Sequence, residues 1–103
     1  MSDRLGDLAD YVRSKNAGPF WVTIDIFCGD DARFDRIARS AAIGHRAIAS
    51  LYGVSDNEVR QFHDRALKVI KISLPRPIAQ GAPRDADSHA GQYFVPLLSA
   101  EIE

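Results

Sequence analysis

A short polar stretch near the N-terminus has the residue types of an anion-binding turn. Arg13, Lys15 and Asn16 precede Gly18, and the residues that follow alternate as in a β-strand. Two cations, an amide and free backbone N–H groups suit a carboxylate or a phosphate, because they donate charge-assisted and bidentate hydrogen bonds. The same residues also suit the solvated C-terminus of a helix, where Arg and Lys complement the macrodipole. The sequence leaves both interpretations open and makes these four residues the candidate anion site.

A second polar segment, residues 83–92, contains Asp85, Asp87 and His89. Two carboxylates and an imidazole at two-residue spacing could ligate a divalent cation or supply an acid–base group near neutral pH. The spacing matches no established metal signature, and a solvated loop explains the same residues. These three residues are therefore catalytic candidates by residue type alone, and no metal or cofactor is predicted.

The segment from residue 20 to residue 28 predicts a strand with one apolar and one mixed face. The apolar face carries Val22, Ile24, Ile26 and Cys28. Its position there makes the single cysteine a buried small hydrophobe rather than a nucleophile.

The mixed face of this strand carries Asp25 between Trp21 and Phe27. A carboxylate within a strand stays charged only if it is paired or exposed. Lys71, on the strand predicted for residues 66–74, is its natural cross-strand partner. The two aromatic residues would form an exposed patch, and a partner subunit is the simplest cover for it. We therefore expect these four residues to mark one face of the sheet.

The remaining elements follow from apolar spacing. Apolar residues three and four positions apart predict a helix over residues 5–15. Further helices are predicted between residues 31 and 52, with a break at Gly44 and with Leu51 on the apolar face. An edge strand is predicted over residues 99–102. This order of elements predicts an α/β (α+β) two-layer sandwich, with helices packed on one face of a small mixed sheet.

The bulk composition restricts the class of protein. The chain has 103 residues, which fits a single domain over residues 1–103. Thirteen Lys and Arg residues nearly balance fourteen Asp and Glu residues, so no strongly basic field would attract nucleic acid or a membrane surface. A single cysteine cannot form an internal disulfide, and the acidic N-terminus has no apolar signal-peptide core. We therefore expect a cytoplasmic protein in which any anion site is local.

Four segments carry a family resemblance that spans nearly the whole chain. They read LGDLADYVRSKNAGPFWVTIDIF, AIASLYGV, KVIKISLPRP and HAGQYFVPLLSAEIE. In this order they resemble a bacterial family of unknown function, about 100 residues long, whose members are encoded beside acyclic terpene utilisation (AtuA-type) proteins. That family is similar to the small C-terminal domain of AtuA-type proteins, which implies a ferredoxin-like sandwich.

The resemblance also aligns residues 13–18 with an Arg-Ser-Gly-Asp-Lys-Gly turn before the first strand of the AtuA-type domain. Arg13, Ser14 and Gly18 match this turn. Residues 15–17 differ from it, so no role of its Asp or Lys carries over to this chain.

The resemblance implies a small accessory subunit of a hetero-oligomeric AtuA-type enzyme, a hydratase or lyase of small carboxylic acids or acyl-CoA esters. Residues 13–18 would hold the anionic group, and the aromatic patch would contact the large subunit. Two alternatives stay open. One is a stand-alone homo-oligomeric enzyme whose site joins residues 13–18 to residues 83–92. The other is a module that binds an anionic metabolite without turning it over.

Overall fold

The computed structural model describes residues 2–18, 20–75 and 94–103. In chain order its elements are β1 (Asp3–Arg4), α1 (Leu5–Leu8), β2 (Tyr11–Asn16), β3 (Trp21–Phe27), α2 (Asp31–Arg39), α3 (His45–Tyr52), β4 (Arg60–Asp64), β5 (Val69–Pro75) and β6 (Glu101–Ile102). Short 3₁₀-helices lie at Ala41–Ile43, Asp56–Glu58 and Val95–Ser99. Within the described ranges, no helix has the length and apolar character needed to cross a membrane.

Four strands form the main sheet in the order β2-β3-β5-β4, and each neighbouring pair is antiparallel. The register places Arg13, Asp25, Lys71 and Phe62 side by side across the four strands. β1 and β6 pair as a separate two-stranded sheet. Because directly paired residues point to the same side of a sheet, this register decides which side chains share a face.

One face of the main sheet carries the hydrophobic core. Val22, Ile24 and Ile26 of β3 and Ile70, Ile72 and Leu74 of β5 are all fully buried. The helices cover this face with apolar side chains that include Phe34, Ile37 and Ile48. The result is a two-layer α+β sandwich with its helices on one face of the sheet. It is consistent with a ferredoxin-like sandwich, and the predicted fold class is confirmed.

Local sequence sets one end of each of the two longer helices. The Asp30 carboxylate accepts a hydrogen bond of 2.8 Å from the backbone N–H of Arg33, which caps α2. Gly53 ends α3 in the left-handed region at φ 70°, a conformation that glycine adopts without a steric penalty.

The buried face of α3 differs from the predicted one. Ile48 and Ala49 are buried, whereas Leu51 is 46% exposed. A 3₁₀-helix over Ala41–Ile43 ends at Gly44, and α3 begins at the next residue. The apolar period therefore restarts after the break, and extending it across Gly44 assigned Leu51 to the wrong side.

The predicted helix over residues 5–15 is wrong in its second half. α1 ends at Leu8, and Tyr11–Asn16 forms strand β2. Val12 and Ser14 are buried while the residues beside them are exposed, which is the period of a strand. Pairing decides the outcome, because β2 supplies backbone partners to one side of the buried strand β3. Such a non-local gain overrides local helical spacing.

Strand β4 (Arg60–Asp64) was not predicted from the sequence. It lies at the edge of the main sheet, and its residues are mostly exposed, so no alternation of buried apolar residues arises. A tight turn with Lys68 at φ 56° leads from β4 into β5, which begins at Val69 instead of residue 66. The predicted C-terminal edge strand is present as Glu101–Ile102, shorter than expected.

Candidate functional site

The second face of the main sheet, which we call the open face, lies opposite the helical layer. The register assigns to it Tyr11, Arg13 and Lys15 of β2, Trp21, Thr23, Asp25 and Phe27 of β3, Arg60, Phe62 and Asp64 of β4, and Val69, Lys71, Ser73 and Pro75 of β5. Trp21 and Phe27, which were expected to form an exposed patch, are only partly exposed. Tyr11 and Phe62, on the two outer strands, are 57% and 62% exposed. Large exposed rings on both edges make this the most distinctive surface among the described residues.

Arginine side chains pack on the aromatic rings of the open face. The Arg13 guanidinium lies 5.2 Å from the centre of the Phe27 ring, and the Arg60 guanidinium lies 5.1 Å from the centre of the Trp21 ring. Tyr11 also contacts Phe27, with 5.7 Å between ring centres. A cation–π contact at an exposed site contributes about 0.5–1 kcal/mol. The open face therefore presents cationic and aromatic groups in fixed proximity.

Asp25 lies in the middle of the open face and is buried. Its Oδ2 accepts a hydrogen bond of 3.2 Å from Arg13 Nε, whereas its Oδ1 has no hydrogen-bond partner within the described structure. The predicted ion pair between Asp25 and Lys71 is replaced by this one, although Lys71 stands directly opposite Asp25 on β5. Asp25 pairs with Arg13 rather than with Lys71 because the Phe27 ring holds the Arg13 guanidinium over the open face, next to the carboxylate.

The four residues predicted to bind an anion do not form one corner. Arg13 and Lys15 project from β2 onto the open face. Asn16 pairs with the core residue Val22 and so points to the opposite side, and Gly18 lies in the hairpin loop at φ 94°. The segment is a strand rather than a turn or a helix C-terminus. The structure thus keeps the two cations together and separates them from the amide.

A row of polar residues crosses the open face next to the Arg13–Asp25 pair. Lys15, Thr23, Ser73 and Arg60 are directly paired across β2, β3, β5 and β4, and we call them the cationic row. The Thr23 and Ser73 hydroxyl oxygens lie 3.5 Å apart at its centre. Three of the four residues could not be identified from the sequence, because neither strand β4 nor the register between β3 and β5 could be predicted from it. Of the four, only Lys15 is a candidate from the sequence alone.

Three cations of the open face have no carboxylate partner among the described residues. Arg33, Arg36 and Arg65 are paired with Asp30, Asp3 and Asp35 elsewhere on the surface. Lys15, Arg60 and Lys71 form no ion pair within the part of the chain that the structure describes. Asp64, the second carboxylate of the open face, accepts a hydrogen bond from the backbone N–H of Leu67 in the next turn. The open face is thus locally positive on a chain whose formal charge is −1.

A shallow hollow of about 220 Å³ at the end of α2 is lined by Arg36, Arg39, Ser40 and Glu103. The Ser40 hydroxyl donates a hydrogen bond of 2.9 Å to the Glu103 carboxylate and lowers its pKa. Arg36 Nε donates to the backbone carbonyl of Glu103 at 2.8 Å. Because Glu103 already accepts hydrogen bonds from Arg36 and Ser40, the hollow has fewer donors to offer an added anion.

The catalytic candidates Asp85, Asp87 and His89 lie outside the described residues and stay a prediction, as does a site that joins residues 13–18 to residues 83–92. Within residues 2–18, 20–75 and 94–103, no three His, Cys, Asp or Glu side chains come together in a way that could hold a metal ion. Cys28 is fully buried, and this burial raises the pKa of its thiol to about 11. The thiol is therefore protonated at neutral pH, which agrees with the prediction that Cys28 is a buried small hydrophobe and not a nucleophile.

Comparison with known proteins identifies a family. A family model described as a domain of unknown function (DUF4387) matches residues 5–101, which takes in all four strands of the main sheet. No curated protein matches the chain, and no solved structure does. The match agrees with the expectation of a small family of unknown function, and the chain belongs to the DUF4387 family.

Proposed function

We propose that this chain is a small accessory subunit of a hetero-oligomeric, cytoplasmic AtuA-type enzyme and that it docks on the large subunit through its open face. One observation carries the proposal. Within residues 2–18, 20–75 and 94–103, helices cover one side of the main sheet only, and the other side exposes Tyr11 and Phe62 by more than half. Exposed aromatic rings around a contiguous sheet face are typical of protein contact surfaces. The resemblance to proteins encoded beside AtuA-type proteins suggests which partner to test.

The proposed reaction is hydration or lysis of a small carboxylic acid or an acyl-CoA ester. It rests on the resemblance, and the large subunit would carry the main catalytic groups. Arg13 and Lys15 support a part for this chain, because they share the face that carries the exposed rings. Docking through that face would place both cations at the subunit boundary, where they could hold the anionic group of a substrate.

Charge complementarity favours a different protein over a second copy of this chain. The open face carries Arg13, Lys15, Arg60 and Lys71, and only Arg13 is neutralised by a neighbouring carboxylate within the described residues. Stacking two such faces about a twofold axis would bring like charges together, which disfavours association. An acidic and apolar surface on a larger partner would gain from the same charges. A stand-alone homo-oligomer is thus the second candidate.

Co-expression with the large AtuA-type protein encoded beside a family member tests docking. A tagged chain is expected to co-purify with that protein at micromolar concentration and to elute with it in size-exclusion chromatography. Phe62→Ser should weaken the complex by about tenfold or more, because an aromatic interface anchor typically contributes over 1 kcal/mol. Leu51→Ser is the matched control, since Leu51 is an exposed apolar residue of the helical layer. It should leave the complex unchanged.

Three results would contradict the proposal. The first is no complex with the wild-type chain at micromolar concentration. The second is a complex that Leu51→Ser disrupts and Phe62→Ser does not, which would move the contact to the helical layer. The third is a stable homo-oligomer that the large protein does not displace. Urea unfolding of both variants shows that any loss of binding does not come from unfolding.

A further inference from the structure

The cationic row has the geometry of a site for a small anion. Lys15 and Arg60 lie on the two outer strands and the hydroxyls of Thr23 and Ser73 lie between them. Neighbouring strands are about 4.8 Å apart, so each outer Cα lies about 7 Å from the midpoint of the hydroxyl pair. Lysine and arginine side chains can span that distance. An anion seated over the hydroxyls is therefore within reach of a cation from either edge of the sheet.

The two hydroxyls are available as donors. Their oxygens are 3.5 Å apart, which is longer than the 2.5–3.0 Å of an ordinary O–H···O hydrogen bond. Each hydroxyl can therefore donate its proton to an acceptor above the sheet, because the hydrogen bond between the two hydroxyls that it would give up is weak. Thr23 and Ser73 are both partly buried, which limits competition from water.

Arg60 is held in place for such a contact by Trp21. The guanidinium lies 5.1 Å from the centre of the indole ring. A guanidinium held over the face of an aromatic ring makes no hydrogen bond to it, so its N–H donors can still bind an acceptor. Since Arg60 has no carboxylate partner among the described residues, its donors are free to bind an oxyanion with two parallel hydrogen bonds.

The positive charge around the cationic row is greater than the negative charge of a single carboxylate. Lys15 and Arg60 lie in the row, and Lys71 lies one row away on β5. The nearest carboxylate by register is Asp25, which is buried and paired with Arg13. From this geometry we infer that the cationic row binds a doubly charged oxyanion, namely the phosphate group of a phosphorylated small molecule. A phosphate dianion has three terminal oxygens that can accept from the hydroxyls, Lys15 and Arg60 together, whereas a carboxylate has two oxygens in one plane.

The site uses the face through which the chain is proposed to dock, but it can be measured on the chain alone. Loss of phosphate binding therefore leaves the docking proposal standing, and failure to form a complex with the large protein leaves the phosphate site standing. The two proposals have separate readouts.

Calorimetric titration of the chain with inorganic phosphate tests the site, with ionic strength held constant by NaCl because exposed charges are screened by salt. Acetate, succinate and a single-stranded oligothymidylate are the comparison ligands. The oligonucleotide is included because cations and aromatic rings on an open sheet also suit single-stranded nucleic acid. We expect saturable binding of one phosphate per chain, tighter than that of either carboxylate, and displacement of any bound oligonucleotide by phosphate.

Variants locate the binding to the row. Thr23→Val keeps the β-branched shape, removes one hydroxyl and should weaken phosphate binding by about tenfold, as for a hydrogen bond to a charged group. Arg60→Gln should weaken it by at least as much. Arg46→Gln is the matched control, because Arg46 is an exposed cation of α3 on the other layer. It should change the affinity by less than about twofold.

The proposal is overturned by any of four results. The first is that phosphate shows no saturable binding up to about 10 mM. The second is that succinate or acetate binds as tightly as phosphate, and the third is that the oligonucleotide binds and phosphate does not displace it. The fourth is that Arg46→Gln and Arg60→Gln weaken phosphate binding equally. The last result would show that only net charge matters. Urea midpoints of the variants confirm that each one is folded under the conditions of the titration.

Discussion

Arg13 and Asp25 stand directly opposite each other on β2 and β3, and Arg13 Nε donates to Asp25 Oδ2 at 3.2 Å. The two side chains differ sharply in exposure, at 48% for Arg13 and 2% for Asp25. Only the Asp25 carboxylate is desolvated, and its Oδ1 has no hydrogen-bond partner within the described structure. The pair is therefore asymmetric, because its members depend on each other to different degrees.

The asymmetry predicts unequal effects of breaking the pair from its two sides. Arg13→Gln leaves a buried carboxylate without its cation and should lower the free energy of unfolding by about 2 kcal/mol. Asp25→Asn leaves a half-exposed guanidinium that water can solvate and should change it by less than about 1 kcal/mol. Urea unfolding at pH 7 measures both. A larger loss for Asp25→Asn than for Arg13→Gln would contradict this asymmetry, because it would show that Arg13 depends on the pair more than Asp25 does.

A second prediction concerns Gly29, which follows β3 at φ 99°. A Cβ at this position would overlap the guanidinium of Arg33, whose Nη1 donates to the backbone carbonyl of Leu8 at 3.1 Å. Gly29→Ala combines a backbone penalty with loss of that contact, so we expect a loss of about 2–3 kcal/mol.

Gly53→Ala is the matched control for Gly29→Ala. Gly53 also has a positive φ, of 70°, but beyond its own local backbone no described residue has a heavy atom within 4 Å of the position that its Cβ would take. Only the backbone penalty applies there, which is about 1–2 kcal/mol. Thermal or urea unfolding compares the two variants. Equal losses would mean that the Arg33 side chain moves aside at no cost.

A third prediction concerns the Cys28 thiol. Burial raises its pKa to about 11, and both the protonated state and the lack of access slow its reaction with thiol reagents. Labelling at pH 8 should be more than about a hundredfold slower in the native protein than in urea, because it requires opening of the core. Labelling is read from absorbance, and its signal is unambiguous because the chain has one cysteine. Fast native labelling would contradict the buried position.

The same thiol predicts a loss of stability at high pH. The thiol ionises at a lower pH in the unfolded chain than in the folded protein, so the unfolded state releases its proton first. Its contribution is present below the ordinary thiol pKa and is lost as pH rises toward about 11. The urea midpoint of the wild type should therefore fall more steeply between pH 8.5 and 10.5 than that of Cys28→Ala. Parallel slopes would assign the loss to other groups.

The inner strands of the sheet could be predicted from the sequence because each has a complete set of alternating apolar residues. Val22, Ile24 and Ile26 share one face of β3, and burial on that face requires period two. The outer strands could not be predicted in the same way. β2 carries helical spacing at its start, and β4 is nearly all polar, since an edge strand that faces solvent needs little apolar sequence.

The candidate site divides along the same line. The sequence by itself determined the fold class, the core face and the cationic character of residues 13–15, because these follow from residue types and local periods. Only the tertiary structure decided that Arg13 neutralises Asp25 and that Lys15, Thr23, Ser73 and Arg60 form one row. The physical reason is that register is a non-local property: a shift of one residue between two strands would move every side chain of one strand to the other face.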